Sequence, residues 1–165
     1  MKTDKLPEKP FEYQNFINGK YVNSIGKKVF NRESPSHGSI IGTYQLSNKK
    51  DVEEAILIAK NTFKSSTWSG MSGVDREKII RKAAEIIRIK ANKLAYIETL
   101  ESGKPISQAI NEVEWAAAIW DYAASLARHI HGEVNTNVGN EMTAMMQKVP
   151  VGVVGRLLPV ITRFP

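Results

Sequence analysis

The stretch from Pro150 to Pro159 reads Pro-Val-Gly-Val-Val-Gly-Arg-Leu-Leu-Pro. An apolar run of this kind, interrupted by glycine and closed by proline, is typical of the strand that opens a nucleotide-binding sheet. Gly152 and Gly155 do not form the G-x-G-x-x-G pattern, so the stretch is weak evidence for a phosphate site. Only Val160–Pro165 follows it. We therefore expect a sheet of which this chain holds the beginning.

Short β-prone runs lie in the first third of the chain. Asn18-Gly19 separates two of them and predicts a tight hairpin, because both central residues of a type I′ turn need positive φ. The runs at 29–30 and 40–44 predict a second strand pair. The amino terminus is charged and contains proline, and we expect residues 1–15 to form a flexible tail.

Helical segments follow the strands. Apolar residues recur at helical spacing along the first of them, at Val52, Ala55, Ile56, Ala59 and Phe63. Four helices are predicted. They begin after the capping residue Asn48, at Asp75, after a break near Asn92, and at Pro105. The glycine before Lys104 predicts the end of the third helix, and the fourth is expected to continue to Gly132. Residues 142–149 predict one more strand.

The composition argues against several classes of protein. Of the 165 residues, 42% are hydrophobic and 24% are charged, as in ordinary globular domains. No apolar run approaches the ~18 residues that span a bilayer, and the charged amino terminus does not resemble a signal peptide. We expect a cytoplasmic protein without membrane contacts. The net charge of +6 comes mainly from residues 1–50, with nine basic and four acidic side chains, and no aromatic-interleaved basic patch predicts nucleic-acid binding.

The residue types needed for several kinds of site are absent or badly spaced. The sequence contains no cysteine, which excludes disulfides, cysteine-ligated metals and a thiol nucleophile within these residues. His129 and His131 are two residues apart and would point away from each other on a helix. His37 is remote in sequence. We therefore predict no metal site and no catalytic residue.

Three blocks of sequence carry a resemblance to a known family. The first is Phe16–Lys20, with Ser34-Pro35 and the helix after Asn48. The second is Glu98–Pro105, and the third is Pro150–Gly155. In this order and at these separations, they resemble the NAD(P)-dependent aldehyde dehydrogenase superfamily over almost the whole chain.

The resemblance implies a fold and a division of the chain. The fold class would be α/β: small β-hairpins, a helical layer, and the first strand of an incomplete Rossmann-type sheet. Residues 16–141 would be the hairpins and helices of the cofactor-binding domain. Residues 142–150 would be a bridging strand used in oligomers, and residues 151–165 the truncated start of the Rossmann-type sheet.

The resemblance also implies a reaction, the oxidation of an aldehyde to a carboxylic acid with NAD or NADP. In the family a cysteine thiolate attacks the aldehyde, the hemithioacetal transfers hydride to the cofactor, and the thioester is hydrolysed. The cysteine and the general-base glutamate lie in the part of family members that has no counterpart here. We expect this chain alone to be inactive, and cofactor binding by it to be doubtful.

The candidate cofactor contacts are Leu157, Leu158 and Pro159, which match family positions whose backbone lines the cofactor site. An apolar strand that fills a core is the alternative interpretation. Beyond Pro159 the sequence departs from the family. An aligned asparagine that stabilises the oxyanion is replaced by Ile161, or by Arg163 if two residues are inserted, so the oxyanion donor is lost.

Glu101 allows two interpretations. It matches an acidic position that in some relatives helps to hold a monovalent cation, together with backbone carbonyls near Arg32 and Glu33. The alternative is a solvated carboxylate at the end of a helix.

Three functional hypotheses follow. The first is an inactive amino-terminal fragment whose uncovered helices make it marginally stable or self-associating. The second is a non-catalytic interaction module that docks onto a full-length homologue. The third is an incomplete piece of an active dehydrogenase, which a downstream reading frame that contains cysteine would reveal.

Overall fold

Five short strands precede four helices in the computed structural model, which describes residues 6–139 and 141–157. The strands are β1 Phe11–Tyr13, β2 Asn15–Ile17, β3 Lys20–Val22, β4 Val29–Glu33 and β5 Ile40–Gln45. The helices are α1 Lys49–Lys64, α2 Gly73–Ile89, α3 Ala91–Ser102 and α4 Ile106–Leu126. Two strands, β6 Glu133–Asn135 and β7 Ala144–Met146, follow α4. The expected mixed α/β class with small sheets and a helical layer is confirmed.

The amino-terminal strands form two small sheets. The β2–β3 hairpin is antiparallel and turns at Asn18 and Gly19, whose φ angles are 53° and 72°, as the sequence predicts. Strands β4 and β5 also pair antiparallel. Strand β1 lies parallel to β5, with Phe11 opposite Gly42. The predicted tail of residues 1–15 is therefore wrong for residues 11–13, because a distant strand supplies the partner that a local pattern cannot reveal.

Helix α1 begins at a complete capping box. The Asn48 side chain accepts hydrogen bonds from the backbone of Lys50 and Asp51, and the Asp51 carboxylate accepts one from the Asn48 backbone. The buried Asp51 carboxylate also accepts bonds from the Ser24 hydroxyl at 2.7 Å and the Ile25 amide at 2.8 Å. These bonds fasten α1 to the loop after β3. Helix α1 makes few contacts with the other helices and strands.

Replacing Asn48 with alanine is expected to lower the free energy of unfolding by about 1 kcal/mol, because the first amides of α1 lose their acceptor. Asn48→Ser is the matched control, since serine caps a helix equally well. Urea denaturation followed by circular dichroism measures both variants. Equal stability of the alanine and serine variants would contradict the prediction.

The core lies among α2, α3 and α4. Alanines reach zero exposure on all three helices, at Ala84, Ala95, Ala109, Ala117 and Ala124. Three of these, Ala109, Ala117 and Ala124, share one side of α4, and we call them the alanine face. Small side chains let helix backbones approach closely, and α4 packs against both α2 and α3. Leu100 of α3 is the largest fully buried side chain in the described residues.

A glycine fixes the junction between α2 and α4. A methyl group on Gly73, the first residue of α2, would lie 2.5 Å from the carbonyl oxygen of Ala127, just after α4. That distance is below van der Waals contact, so only glycine fits without a backbone shift. The start of α2 and the end of α4 are therefore held in direct contact.

Several predicted boundaries are corrected by the structure. The break before α3 falls at Lys90 rather than Asn92, and α4 ends at Leu126 rather than Gly132. The strand expected over 142–149 is reduced to β7, which pairs with β6. Residues 151–157 form no strand, contrary to the expected start of a Rossmann-type sheet. A strand needs a hydrogen-bonding partner, and no described strand pairs with this segment.

Candidate functional site

Of the three residues predicted to contact a cofactor, the structure describes only Leu157. Leu157 is 96% exposed, and Leu158 and Pro159 lie outside the described residues. Gly152 has a positive φ of 109°, and the described residues after it, 153–157, form no helix that would present backbone amides to a phosphate. The predicted cofactor contacts therefore stay a prediction.

An apolar groove runs along α1, and we call it the α1 groove. It is lined by Phe16 and Ile17 of β2, by Ala55 and Ala59 of α1, and by Val153 and Val154. The groove has a narrow section of about 410 Å³ and a wide section of about 1230 Å³. The apolar face that the sequence predicts for α1 is thus largely uncovered: Val52 and Ile56 remain 52% and 50% exposed.

Glu101 joins the end of α3 to the β4–β5 sheet. The Tyr44 hydroxyl donates a hydrogen bond to the Glu101 carboxylate, and the Arg32 guanidinium donates to the Glu101 carbonyl oxygen at 2.9 Å. Burial and the bond to Glu101 raise the pKa of Tyr44 far above its ordinary value, because both disfavour the phenolate. Glu101 thus lies at the end of a helix, as the second interpretation states, but its carboxylate is half-buried and bonded to Tyr44 rather than fully solvated.

Aromatic rings extend this connection across the sheet. Tyr44 stacks on Tyr13 with a centroid distance of 4.5 Å and on Phe30 with a distance of 5.5 Å. Strands β1, β4 and β5 each contribute one of these rings. The stack explains why β1 belongs to the sheet although it is only three residues long.

Lys104 connects α3 to α4. Its side chain is only 7% exposed, and its ammonium contacts Glu98 of α3 at 2.8 Å and Glu112 of α4 at 2.5 Å. Burial by itself would lower the pKa of Lys104, but the hydrogen bonds and charges of Glu112 and Glu98 outweigh it, so the pKa is raised. This arrangement holds the turn between the two helices.

Replacing Lys104 with methionine is expected to destabilise the chain by about 2 kcal/mol at neutral pH, since two charged hydrogen bonds are lost and the carboxylates can partly rehydrate. The pKa of Lys104 is higher in the folded chain than in the unfolded chain, where it is about 10.4. The stability that Lys104 contributes is therefore complete below that unfolded value and is lost as the pH rises through the folded-state pKa.

The difference between wild type and Lys104→Met should therefore be constant at neutral pH and shrink at alkaline pH. Denaturant midpoints measured across this range test the prediction. A difference independent of pH up to strongly alkaline solution would contradict it. Tyrosine ionisation is shared by both proteins and cancels in the comparison.

A charge network ties α2 to α4. The buried Glu77 accepts bonds from Arg81 on its own helix and from Arg128, and Arg88 contacts Asp121 of α4 at 2.8 Å. The bond from Arg81, opposed by burial and reinforced by Arg128, holds the pKa of Glu77 below its usual range. We interpret this network as one that stabilises the packing of α2 on α4, because every charged group in it is paired within the protein.

In the described part of the chain, no group of three or more histidine, aspartate or glutamate side chains comes together to hold a metal ion. His37 contacts the buried Ser34 hydroxyl at 2.9 Å within a tight turn. His129 and His131 are exposed at the end of α4. Among the described residues, no helix is both long and apolar enough to cross a bilayer.

The sequence did not reveal the contact between Tyr44 and Glu101 or the α1 groove. The first joins residues 57 positions apart, and the second is closed by residues 147–154, which pass α1 from far along the chain. The one available signal was the apolar face of α1, which predicted an interface without identifying what would lie against it.

The sequence model of the aldehyde dehydrogenase family matches residues 21–160 of this chain. Among curated proteins, the D-glyceraldehyde dehydrogenase (NADP(+)) of Thermoplasma acidophilum is 34% identical over 144 residues, covering 87% of this chain and 29% of that protein.

Solved structures give the same result. The NAD-dependent aldehyde dehydrogenase of Sinorhizobium meliloti matches 82% of this chain and 27% of its own, with a TM-score of 0.78 and 35% identity. A betaine aldehyde dehydrogenase double mutant of Staphylococcus aureus in complex with NAD+ matches 86% of this chain and 28% of its own, with a TM-score of 0.81 and 28% identity. This chain thus spans less than a third of the length of these relatives.

Proposed function

Because this chain belongs to the aldehyde dehydrogenase family, we propose that it forms the amino-terminal part of a protein that oxidises an aldehyde to a carboxylic acid with NAD or NADP. The observation that carries the proposal is the match of residues 21–160, supported by TM-scores near 0.8 against enzymes of this kind. In such a protein the segment would supply structure: hairpins and a helical layer against which the remaining fold packs.

We propose further that these 165 residues do not catalyse the reaction by themselves. The family reaction needs a thiolate, and the sequence contains no cysteine. Leu157 is exposed and residues 151–157 form no strand, and both observations argue against NAD or NADP binding by the isolated chain. The proposal includes a cytoplasmic location, in keeping with a sequence that forms no disulfide.

A chimera tests the structural role. The aligned segment of the Thermoplasma acidophilum enzyme is replaced by this chain, and the oxidation of D-glyceraldehyde with NADP+ is measured. We expect activity in the chimera and none in a matched variant from which the segment is deleted. A folded chimera without activity would contradict the proposal.

The isolated chain needs a separate assay. It is mixed with an aldehyde and either NAD+ or NADP+, and cofactor reduction and binding are followed by absorbance and calorimetry. We expect neither reduction nor binding. Turnover by the isolated chain would show that the proposal of inactivity is wrong, whatever the chimera does.

Docking onto a full-length homologue is a second candidate function, and the uncovered apolar face of α1 favours it. Exposed apolar surface of this extent marks interaction sites in soluble proteins. Co-expression with a tagged homologue should recover this chain in a stable complex. Sedimentation of the chain alone distinguishes this outcome from self-association, and a monomer that ignores the homologue would exclude both.

A further inference from the structure

The carboxyl end of α3 carries an excess of negative charge. The last carbonyl groups of a helix have no partner within it and act together as a partial negative charge. The last turn of α3 contains no basic side chain and adds the carboxylate of Glu101. Lys104, the next basic residue along the chain, is already paired with Glu98 and Glu112. A cation at this helix end would be stabilising, and the residues next in sequence do not supply one.

Arg32 supplies that cation from a distant part of the chain. It lies on β4, 69 positions before Glu101, and its guanidinium donates to the Glu101 carbonyl oxygen at 2.9 Å. Both residues are half-buried, so water and salt screen their attraction less than at the surface. The Tyr44 hydroxyl bonds to the Glu101 carboxylate but is neutral, so it cannot balance the charge. The guanidinium is thus the charged group that faces the end of α3.

The resemblance to aldehyde dehydrogenases implies a monovalent cation at the position of Glu101, and the described residues do not fit it. Such an ion is held by oxygen atoms that replace its water shell. Here the Glu101 carbonyl oxygen already accepts the guanidinium, and the carboxylate accepts the Tyr44 hydroxyl. A metal ion on the same oxygen atoms would lie beside the guanidinium, where two positive charges repel each other.

We propose that the Arg32 guanidinium takes the place of a monovalent metal ion at the carboxyl end of α3, so that this junction needs neither sodium nor potassium. Arg32 acts as a positioning residue, because it holds the last turn of α3 against the sheet of β4 and β5. The inference concerns how this chain folds and does not depend on aldehyde oxidation.

Thermal unfolding of the full 165-residue chain in different salts tests the proposal. Potassium, sodium and choline chloride are compared at one ionic strength of about 0.1 M, so that general screening is equal. Choline is too bulky to bind among carbonyl oxygens as a metal ion does. We expect the same Tm for wild type in the three salts, because the guanidinium already supplies the charge.

Arg32→Gln separates the charge from the hydrogen bond. Glutamine still offers an N–H to the Glu101 carbonyl oxygen, but it brings no positive charge. We expect potassium or sodium to raise the Tm of this variant by about 3 °C or more relative to choline, because an ion that binds only the folded chain stabilises it. Arg32→Lys keeps the charge and should be as insensitive to the salt as wild type.

Lys28→Gln is the matched control. It removes one positive charge from an exposed position just before β4, and it should create no dependence on the metal ion. Sodium NMR gives a direct measurement beside the Tm values. Arg32→Gln should broaden the sodium resonance more than wild type or Lys28→Gln does, because only this variant offers the ion a site.

Three results would overturn the proposal. They are a wild-type Tm that potassium or sodium raises above its value in choline, an Arg32→Gln variant that is indifferent to the salt, and an equal response in Lys28→Gln. If Arg32→Gln folds only in potassium or sodium, as circular dichroism would show, the proposal is supported. If it folds in no salt, wild type and Arg32→Lys decide the question: a response of either to the metal ion contradicts the proposal, and indifference of both supports it.

Discussion

Replacing Ala117 with leucine is expected to lower the free energy of unfolding by about 3 kcal/mol, because the larger side chain must force closely packed helices apart. Ala117 has no exposed surface and lies at the centre of the alanine face of α4. Differential scanning calorimetry should show a correspondingly lower Tm.

Ala118→Leu is the matched control for this prediction. Ala118 is the next residue on the same helix and is exposed, so the same added volume enters solvent. Its effect should stay within about 0.5 kcal/mol. Equal effects at the two positions would mean that the alanine face is not the contact between helices.

Replacing Leu100 with alanine is expected to cost about 2 to 5 kcal/mol, the range found when a buried leucine leaves a cavity. Leu100 is 1% exposed and lies in the last turns of α3, next to the Glu101 contact with the sheet. Domains are usually stable by only about 5 to 15 kcal/mol, so this single change removes a large part of the total.

Leu57→Ala controls for the loss of a leucine from a helix. Leu57 lies on α1 and is 58% exposed, so its removal leaves no cavity. Urea denaturation of both variants measures the difference. A loss at Leu57 as large as that at Leu100 would contradict the location of the core among α2, α3 and α4.

Local chemistry predicted much of the fold correctly. The hairpin turn at Asn18-Gly19, the cap at Asn48 and the left-handed Gly103, whose φ is 77°, were each readable because a few adjacent residues determine them. The order of strands followed by four helices could also be predicted. Boundaries were less predictable, as the early end of α4 at Leu126 shows.

Contacts between residues far apart in the chain could not be predicted from the sequence. Strand β1 depends on β5, and the Glu101 carboxylate depends on Tyr44, across separations that periodicity does not report. The predicted strand at 151–157 illustrates the opposite case: its pattern is apolar and suitable, yet the described chain offers it no partner. For the same reason the predicted role of Leu157 in cofactor binding stays a prediction.

The weak packing of α1 has a consequence for amide hydrogen exchange. Amides in α2 to α4 exchange only when the core opens, whereas α1 is fastened mainly through its amino-terminal cap and has few neighbours. Exchange followed by mass spectrometry should therefore show two classes, with α1 exchanging by local opening well before the three-helix core. A partner that fills the groove should slow exchange in α1 and leave the core unchanged.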